Sequence, residues 1–168
     1  MTETVILGSV AAMMILAAAY DVATLTIPNW LTILLAGFFP VAAVLSGLDI
    51  SDLGWHLATG FAALLAGILV FSAGLAGGGD AKLFAAGALY MGTATIGAFV
   101  MAVALAGGAL VMAMLLLRRL PLPVSVVTLP WVARLYQKGM GVPYGVAIAA
   151  GALLVLPKTH LAAALAGS

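Results

Sequence analysis

The sequence predicts an all-α fold, a polytopic membrane helix bundle that forms a single domain over residues 1–168. Of these residues 65% are hydrophobic and only 7% are charged, whereas a soluble domain of this size is about half apolar and about a quarter charged. The mean hydropathy is +1.29. The apolar residues fall in runs close to the roughly 20 that a helix needs to cross a bilayer core about 30 Å thick.

Polar breaks between these runs predict about six transmembrane spans, with approximate limits Val5–Tyr20, Trp30–Gly47, Leu57–Ala76, Ala81–Gly92, Ile96–Leu117 and Tyr144–Leu165. The first run follows MTET, which has an acidic and no basic residue, so we interpret it as a retained span and not as a signal peptide. The fourth run is short for a bilayer crossing. Either its boundary with the fifth lies beyond Thr95, or the membrane is thin beside it.

The charged residues predict how the spans are oriented. Basic residues collect in the loops on one side, namely Lys82, Arg118, Arg119, Arg134 and Lys138. Acidic residues collect on the other side, namely Glu3, Asp49 and Asp52. Because cytoplasmic loops carry an excess of Lys and Arg, we expect both termini outside and the loops at 21–29, 77–82 and 118–143 in the cytoplasm. Pro121, Pro123 and Pro130 break the last loop, and its segment Pro130–Lys138 is expected to lie in the membrane interface.

Asp21 lies at the predicted cytoplasmic end of the first span. An ionisable group at membrane depth is costly and usually marks a functional site. The segment it opens, DVATLTIPN, contains Pro28, which ends regular helix, and Asn29, which is expected to cap the N-terminus of the second span. The alternative is that Asp21 is an interfacial residue that only bounds a helix.

Asp80 lies on the same predicted side, in the stretch LAGGGDAKL. Three glycines precede it, and their bare backbone is expected to let an extended substrate segment approach closely. The alternative is that Asp80 is a helix N-cap after a glycine turn. For Lys82 we expect a contact with lipid phosphate first, and with the substrate or an aspartate as alternatives.

Three motifs carry a resemblance to a known family. GGGDAK, read as Gly77-x-Gly79-Asp80-x-Lys82, resembles the GxGD signature of intramembrane aspartic proteases. DVATLTIPN resembles the other aspartate motif of the type IV prepilin peptidases, in which a carboxylate stands six residues before Ile-Pro-Asn. VPYGVAIAAG is similar to the Pro-aromatic-Gly stretch that opens the last helix in that family. The ordered set is far more specific than a lone GxGD.

The resemblance implies an aspartic endopeptidase that removes the short basic leader of a prepilin-like protein at the cytoplasmic face of the bacterial inner membrane. Asp21 and Asp80 would be catalytic, because two adjacent carboxylates share one proton and so supply both a base and an acid. The supporting residues would be Ile27, Pro28, Asn29, Gly77, Gly79, Lys82, Pro143, Tyr144 and Gly145. The expected partners are the prepilin-like substrate and the lipid bilayer, with no nucleic acid, no metal and no cofactor; the oligomeric state stays open.

The chain resembles the short members of the family that serve Flp-type pili of tight-adherence systems. Longer relatives have zinc-binding cysteines in an N-terminal cytoplasmic domain linked to N-methylation of the trimmed pilin. This chain has no cysteine, so we do not expect methyltransferase activity.

Other interpretations fit fewer residues. Presenilin-like proteases share the Tyr20–Asp21 pair, but their Pro-Ala-Leu motif is not found here. A proton-coupled transporter or channel component also uses two intramembrane carboxylates, but prefers them near the midplane and often has repeated halves. His56 and His160 are expected at the outer interface, away from the aspartates.

Overall fold

The computed structural model describes residues 2–120, 128–137 and 141–167. Its helices are α1 Thr2–Thr24, α2 Asn29–Leu45, α3 Ile50–Ser72, α4 Gly78–Leu117, α5 Pro130–Tyr136, α6 Gly145–Val155 and α7 His160–Ala166, with a 3₁₀ turn at Leu156–Lys158. The all-α fold class is therefore confirmed. The expectations for Pro121, Pro123 and Lys138 concern residues outside the described part of the chain.

The helices are those of a multi-pass membrane protein. Among the described residues, α1, α3 and α4 are long and apolar enough to cross a membrane, and α6 with α7 meets the same criteria only as a pair bent by 47°. α2 is a shorter apolar helix with Pro40 inside it. Many large apolar side chains face outward, including Ile50 at 88% and Val44 at 79% exposure, as expected for surfaces that contact lipid. The number of crossings and the side on which the termini lie stay predictions.

α4 reverses direction at Gly92. It spans 40 residues, which would be about 60 Å if straight, twice the bilayer core. Yet the rings of Phe84 and Phe99 stack with centroids 5.0 Å apart, although a straight helix would separate them by about 22 Å. Gly92 has φ 60° and ψ −176°, a conformation that is essentially restricted to glycine. The arms 78–91 and 93–117 thus pack against each other, and the boundary between the fourth and fifth predicted spans lies at Gly92, not beyond Thr95.

His56 holds this reversal in place, and the expectation that it lies at the interface is wrong. Its side chain is 4% exposed and stacks on Phe39 at a centroid distance of 5.5 Å. Its Nδ1 lies 2.6 Å from the carbonyl oxygen of Leu89, one of the last carbonyls of the first arm. Because a carbonyl only accepts, Nδ1 carries the proton. The absent side chain of Gly92 leaves room for the ring, since a Cβ there would lie 2.8 Å from His56 Nε2.

The core lies where α1, α2, α4 and α6 converge. Its largest fully buried side chains include Tyr90, Phe39, Phe99 and Met14. Tyr90 donates its hydroxyl proton to the carbonyl oxygen of Leu35 at 2.6 Å, which satisfies the polar group inside the core. This packing brings the C-terminal end of α1 and the N-terminal ends of α2, α4 and α6 to the same end of the bundle.

Candidate active site

Asp21 is buried at the C-terminal end of α1. Its side chain is 4% exposed, and its Oδ2 accepts the backbone N–H of Gly145, the first residue of α6, at 2.7 Å. α1 ends because Leu25 adopts φ 54° and its N–H donates to the carbonyl oxygen of Asp21 at 2.7 Å, as in a left-handed helix cap. The chain can then turn back toward α2 within four residues, and the carboxylate is left facing the start of α6.

Asp80 lies in the first turn of α4, whose N-cap is Gly77. Its Oδ2 accepts the Gly77 N–H at 3.2 Å. The carboxylate therefore also satisfies one of the free N–H groups at the helix N-terminus, where negative charge is favourable. The alternative that Asp80 itself is the N-cap is wrong: it is the third helical residue, and Gly77 is the cap.

The two carboxyl groups belong to different helices, and Ile27 contacts the backbone beside each of them, at Gly79 before Asp80 and at Gly145, whose N–H binds Asp21. Asp80 is half-buried and faces open space, whereas Asp21 lies deeper, beside Gly145. Both are at the end of the bundle opposite Asp52, whose exposed carboxyl group lies 3.4 Å from His160 Nδ1. The two histidines and the outer acids are thus far from this pair in the fold.

Ile27 fills the space between the supports of the two aspartates. Its side chain is 7% exposed. A Cβ built on Gly79 would lie 3.1 Å from Ile27 Cβ, and one built on Gly145 would lie 3.0 Å from Ile27 Cδ1. The absent side chain of Gly79 thus makes room for the chain's own Ile-Pro-Asn segment, and the expected approach of a substrate to the three glycines stays a prediction. A glycine at position 77 also has a local explanation, since a Cβ there would lie 2.9 Å from Asp80 Oδ2.

Lys82 joins the two aspartate motifs directly. Its Nζ donates to Asn29 Oδ1 at 2.9 Å, a partner that the sequence interpretation did not propose for either residue. Asn29 is the first residue of α2, whose N-cap is Pro28 without a side-chain cap bond, so the expected capping role of Asn29 is wrong. The amide instead ties the loop after Asp21 to the first turns of α4.

The segment before α6 forms one wall of the site. Pro143 is buried and Tyr144 half-buried. The ring and hydroxyl of Tyr144 occupy the space that a side chain would take at Gly107, in the second arm of α4. The sequence indicates Tyr144 through the family motif, but nothing near Gly107 shows that the ring packs there.

Two cavities meet at Asp80. One, of about 260 Å³, lies among apolar side chains of α3, both arms of α4 and α6, including Gly67, Phe84 and Ala104. The other, of about 550 Å³, is bounded by Gly74, Gly77, Val111 and Gly141. Asp80 and Tyr144 line both cavities. The first cavity is mostly apolar and lies within the bundle, and the second has several glycines in its lining.

Within the described residues, no group of three or more His, Asp or Glu side chains is arranged to hold a metal ion. At this end of the bundle the carboxyl group of Asp80 lies beside open cavities, and that of Asp21 is bound at the start of α6.

One comparison with known proteins finds a match, and it covers the two aspartate motifs but not the segment Val142–Gly151. No curated protein and no solved structure matches the chain. The family model of the type IV leader peptidases matches residues 9–112, which is more than half of the chain and includes both aspartates, the first arm of α4 and most of its second arm. The chain therefore belongs to the type IV leader peptidase family.

Proposed function

We propose that this peptidase is an aspartic endopeptidase in which Asp21 and Asp80 together activate water and protonate the leaving group. The observation that supports this most directly is that Ile27 packs against the backbone beside both acids, which come from helices far apart in sequence, next to cavities that Asp80 lines. Both residues lie within the part of the chain that matches the family.

The reaction needs one proton shared between the two carboxyl groups, because like charges a few Å apart do not both ionise. The ionised carboxylate takes a proton from water as the water oxygen attacks the peptide carbonyl carbon, and the protonated partner gives its proton to the carbonyl oxygen. Breakage of the C–N bond then sends a proton from the pair to the leaving nitrogen, while a hydroxyl of the intermediate returns one. The pair ends with one proton, as it began.

The substrate we propose is a prepilin-like protein with a short basic leader before a hydrophobic helix, cut at the cytoplasmic face of the bacterial inner membrane. The two cavities suit such a chain. The apolar cavity beside Phe84 and Ala104 suits the start of the hydrophobic helix, and the cavity bounded by Gly74 and Gly141 suits the extended leader. We further propose that the enzyme serves a Flp-type pilus and cleaves without methylating its product.

The test is cleavage of a purified prepilin in detergent, followed by mass spectrometry to locate the bond that is cut. Asp21→Asn and Asp80→Asn should each abolish cleavage while circular dichroism and gel filtration stay unchanged. Asp52→Asn is the matched control, because it removes an acid at the opposite end of the bundle and should leave cleavage intact. Normal cleavage by either of the first two variants would refute the proposed pair. Cleavage in detergent, where no proton gradient exists, also separates a peptidase from a proton-coupled transporter.

A further inference from the structure

Ile27 occupies a position that no chemical role explains. It lies in the loop between α1 and α2, yet it belongs to the central core and is 7% exposed. Its Cβ faces the backbone of Gly79, the residue before Asp80, and its Cδ1 faces Gly145, whose N–H holds Asp21. One side chain thus extends from the support of one aspartate to the support of the other.

The fit at both ends of this side chain is tight. At Gly79 an added Cβ would lie 3.1 Å from Ile27 Cβ and 3.4 Å from its backbone nitrogen. At Gly145 an added Cβ would lie 3.0 Å from Ile27 Cδ1. Both glycines leave just the room that this residue fills, so neither α4 nor α6 can move toward the other without displacing it. Interiors as close-packed as this respond to the loss or gain of a single methyl group.

We propose that Ile27 is a positioning residue whose length sets the separation of the Asp21 and Asp80 carboxyl groups, and so the strength with which they share a proton. This inference rests on the proposed function. The hydrogen bond from Lys82 to Asn29 holds the loop between α1 and α2 against α4. The side chain of Ile27 then fixes the distance between the start of α4 and the start of α6. Ile27 acts through the two aspartates and does not itself touch the reacting atoms.

The pH profile of cleavage reports this separation. Two coupled carboxyl groups give a bell-shaped profile whose two limbs move apart as their interaction strengthens. Among the described residues, the other ionisable side chains near this end include Tyr20, Lys82, Arg118, Arg119, Arg134, Tyr136 and Tyr144. None of these residues is substituted in the variants below, so we attribute changes in the width of the pH profile to Asp21 and Asp80.

The first experiment shortens the spacer. Ile27→Val removes Cδ1 and lets the two supports approach each other, so we expect kcat to fall several-fold and the profile of kcat/KM to widen. Ile6→Val is the matched control, because Ile6 is 2% exposed and lies in the same core cluster but in the first turns of α1, far from Asp21 along the helix. It loses the same methyl group and should leave the width of the profile unchanged.

The second experiment pushes the supports apart. Gly79→Ala places a methyl group against Ile27 Cβ, so kcat should fall and the profile should narrow. Combining Gly79→Ala with Ile27→Val gives the displaced loop room at its other end, and the double variant should regain part of the lost rate and an intermediate profile.

Profiles of equal width in all variants, or a shift in Ile6→Val as large as in Ile27→Val, would overturn the spacer role. If Gly79→Ala does not fold, the comparison of Ile27→Val with Ile6→Val decides alone. Should the spacer variants behave like the parent while Asp21→Asn and Asp80→Asn are inactive, this inference fails and the proposed function stands. Activity of the two Asn variants would reject the proposed function instead.

Discussion

The reversal at Gly92 gives the sharpest prediction about the stability of the bundle. Gly92→Ala forces alanine into a backbone conformation that costs about 1–3 kcal/mol for residues other than glycine. The new Cβ would also lie 2.8 Å from the His56 ring, so the ring must move and its hydrogen bond to Leu89 is weakened. Loss of that bond costs about 1 kcal/mol more. We expect the free energy of unfolding to fall by about 2–4 kcal/mol.

The assay is reversible unfolding by SDS in mixed micelles, followed by circular dichroism, with the thermal midpoint in detergent as a second measure. Gly97→Ala is the matched control, because Gly97 lies in the same helix with nothing within 4 Å of an added Cβ. It should be neutral or stabilising by up to about 1 kcal/mol, since alanine is the better helix former. The reasoning fails if Gly92→Ala is as stable as Gly97→Ala.

A double-mutant cycle separates the two causes. His56→Ala alone removes the hydrogen bond and the stacking on Phe39. In combination with Gly92→Ala it also removes the clash, so the two losses should sum to more than the loss in the double variant. Strict additivity would mean that the backbone conformation alone accounts for the effect of Gly92→Ala.

Three further predictions concern the site. Leu25→Gly should raise the free energy of unfolding by about 1 kcal/mol, because a side chain at its φ of 54° is strained; an unchanged or lower value in SDS unfolding would contradict this. Gly145→Ala should lower kcat/KM by about 10²-fold in the prepilin assay, because its Cβ would lie 2.8 Å from Asp21 Oδ2 and displacements of about 1 Å cost that much. Gly107→Ala should displace Tyr144 and lower kcat/KM roughly tenfold without loss of helix content, whereas parental kinetics would show that the ring position is unimportant.

The fold class is predictable from the sequence because the length and hydropathy of each apolar run are local properties. The separation of basic from acidic residues can be read in the same way once the runs are assigned. The short fourth span is an example: the sequence predicts that this apolar run ends at Gly92, and α4 reverses direction at that residue. Asp21 and Asp80 were identifiable because a charge is rare in such a chain and costly at membrane depth. The order of the motifs then indicated the family that the comparison shows.

The contacts between distant segments were not predictable in the same way. Nothing near Asn29 shows that its amide meets Lys82, and nothing near Gly79 shows that Ile27 covers it. His56 illustrates the same limit, because a lone polar residue near a predicted boundary is normally interfacial. Here the carbonyl oxygen of Leu89, in the last turn before the reversal of α4, supplies a buried partner, and a pattern of hydropathy does not reveal such a partner.

The carboxyl group of Asp80 both accepts the N–H of the N-cap residue of α4 and lines the cavities. This double role affects how substitutions of Asp80 should be interpreted. An alanine at this position removes the acceptor of the Gly77 N–H as well as the acid. Loss of activity in that variant would therefore have two possible causes, a destabilised start of α4 and a missing carboxyl group. Asparagine keeps an oxygen for that N–H and removes only the ionisable group. Glutamate keeps the charge but shifts it by a methylene. Comparing the three distinguishes anchorage from acidity at a single residue.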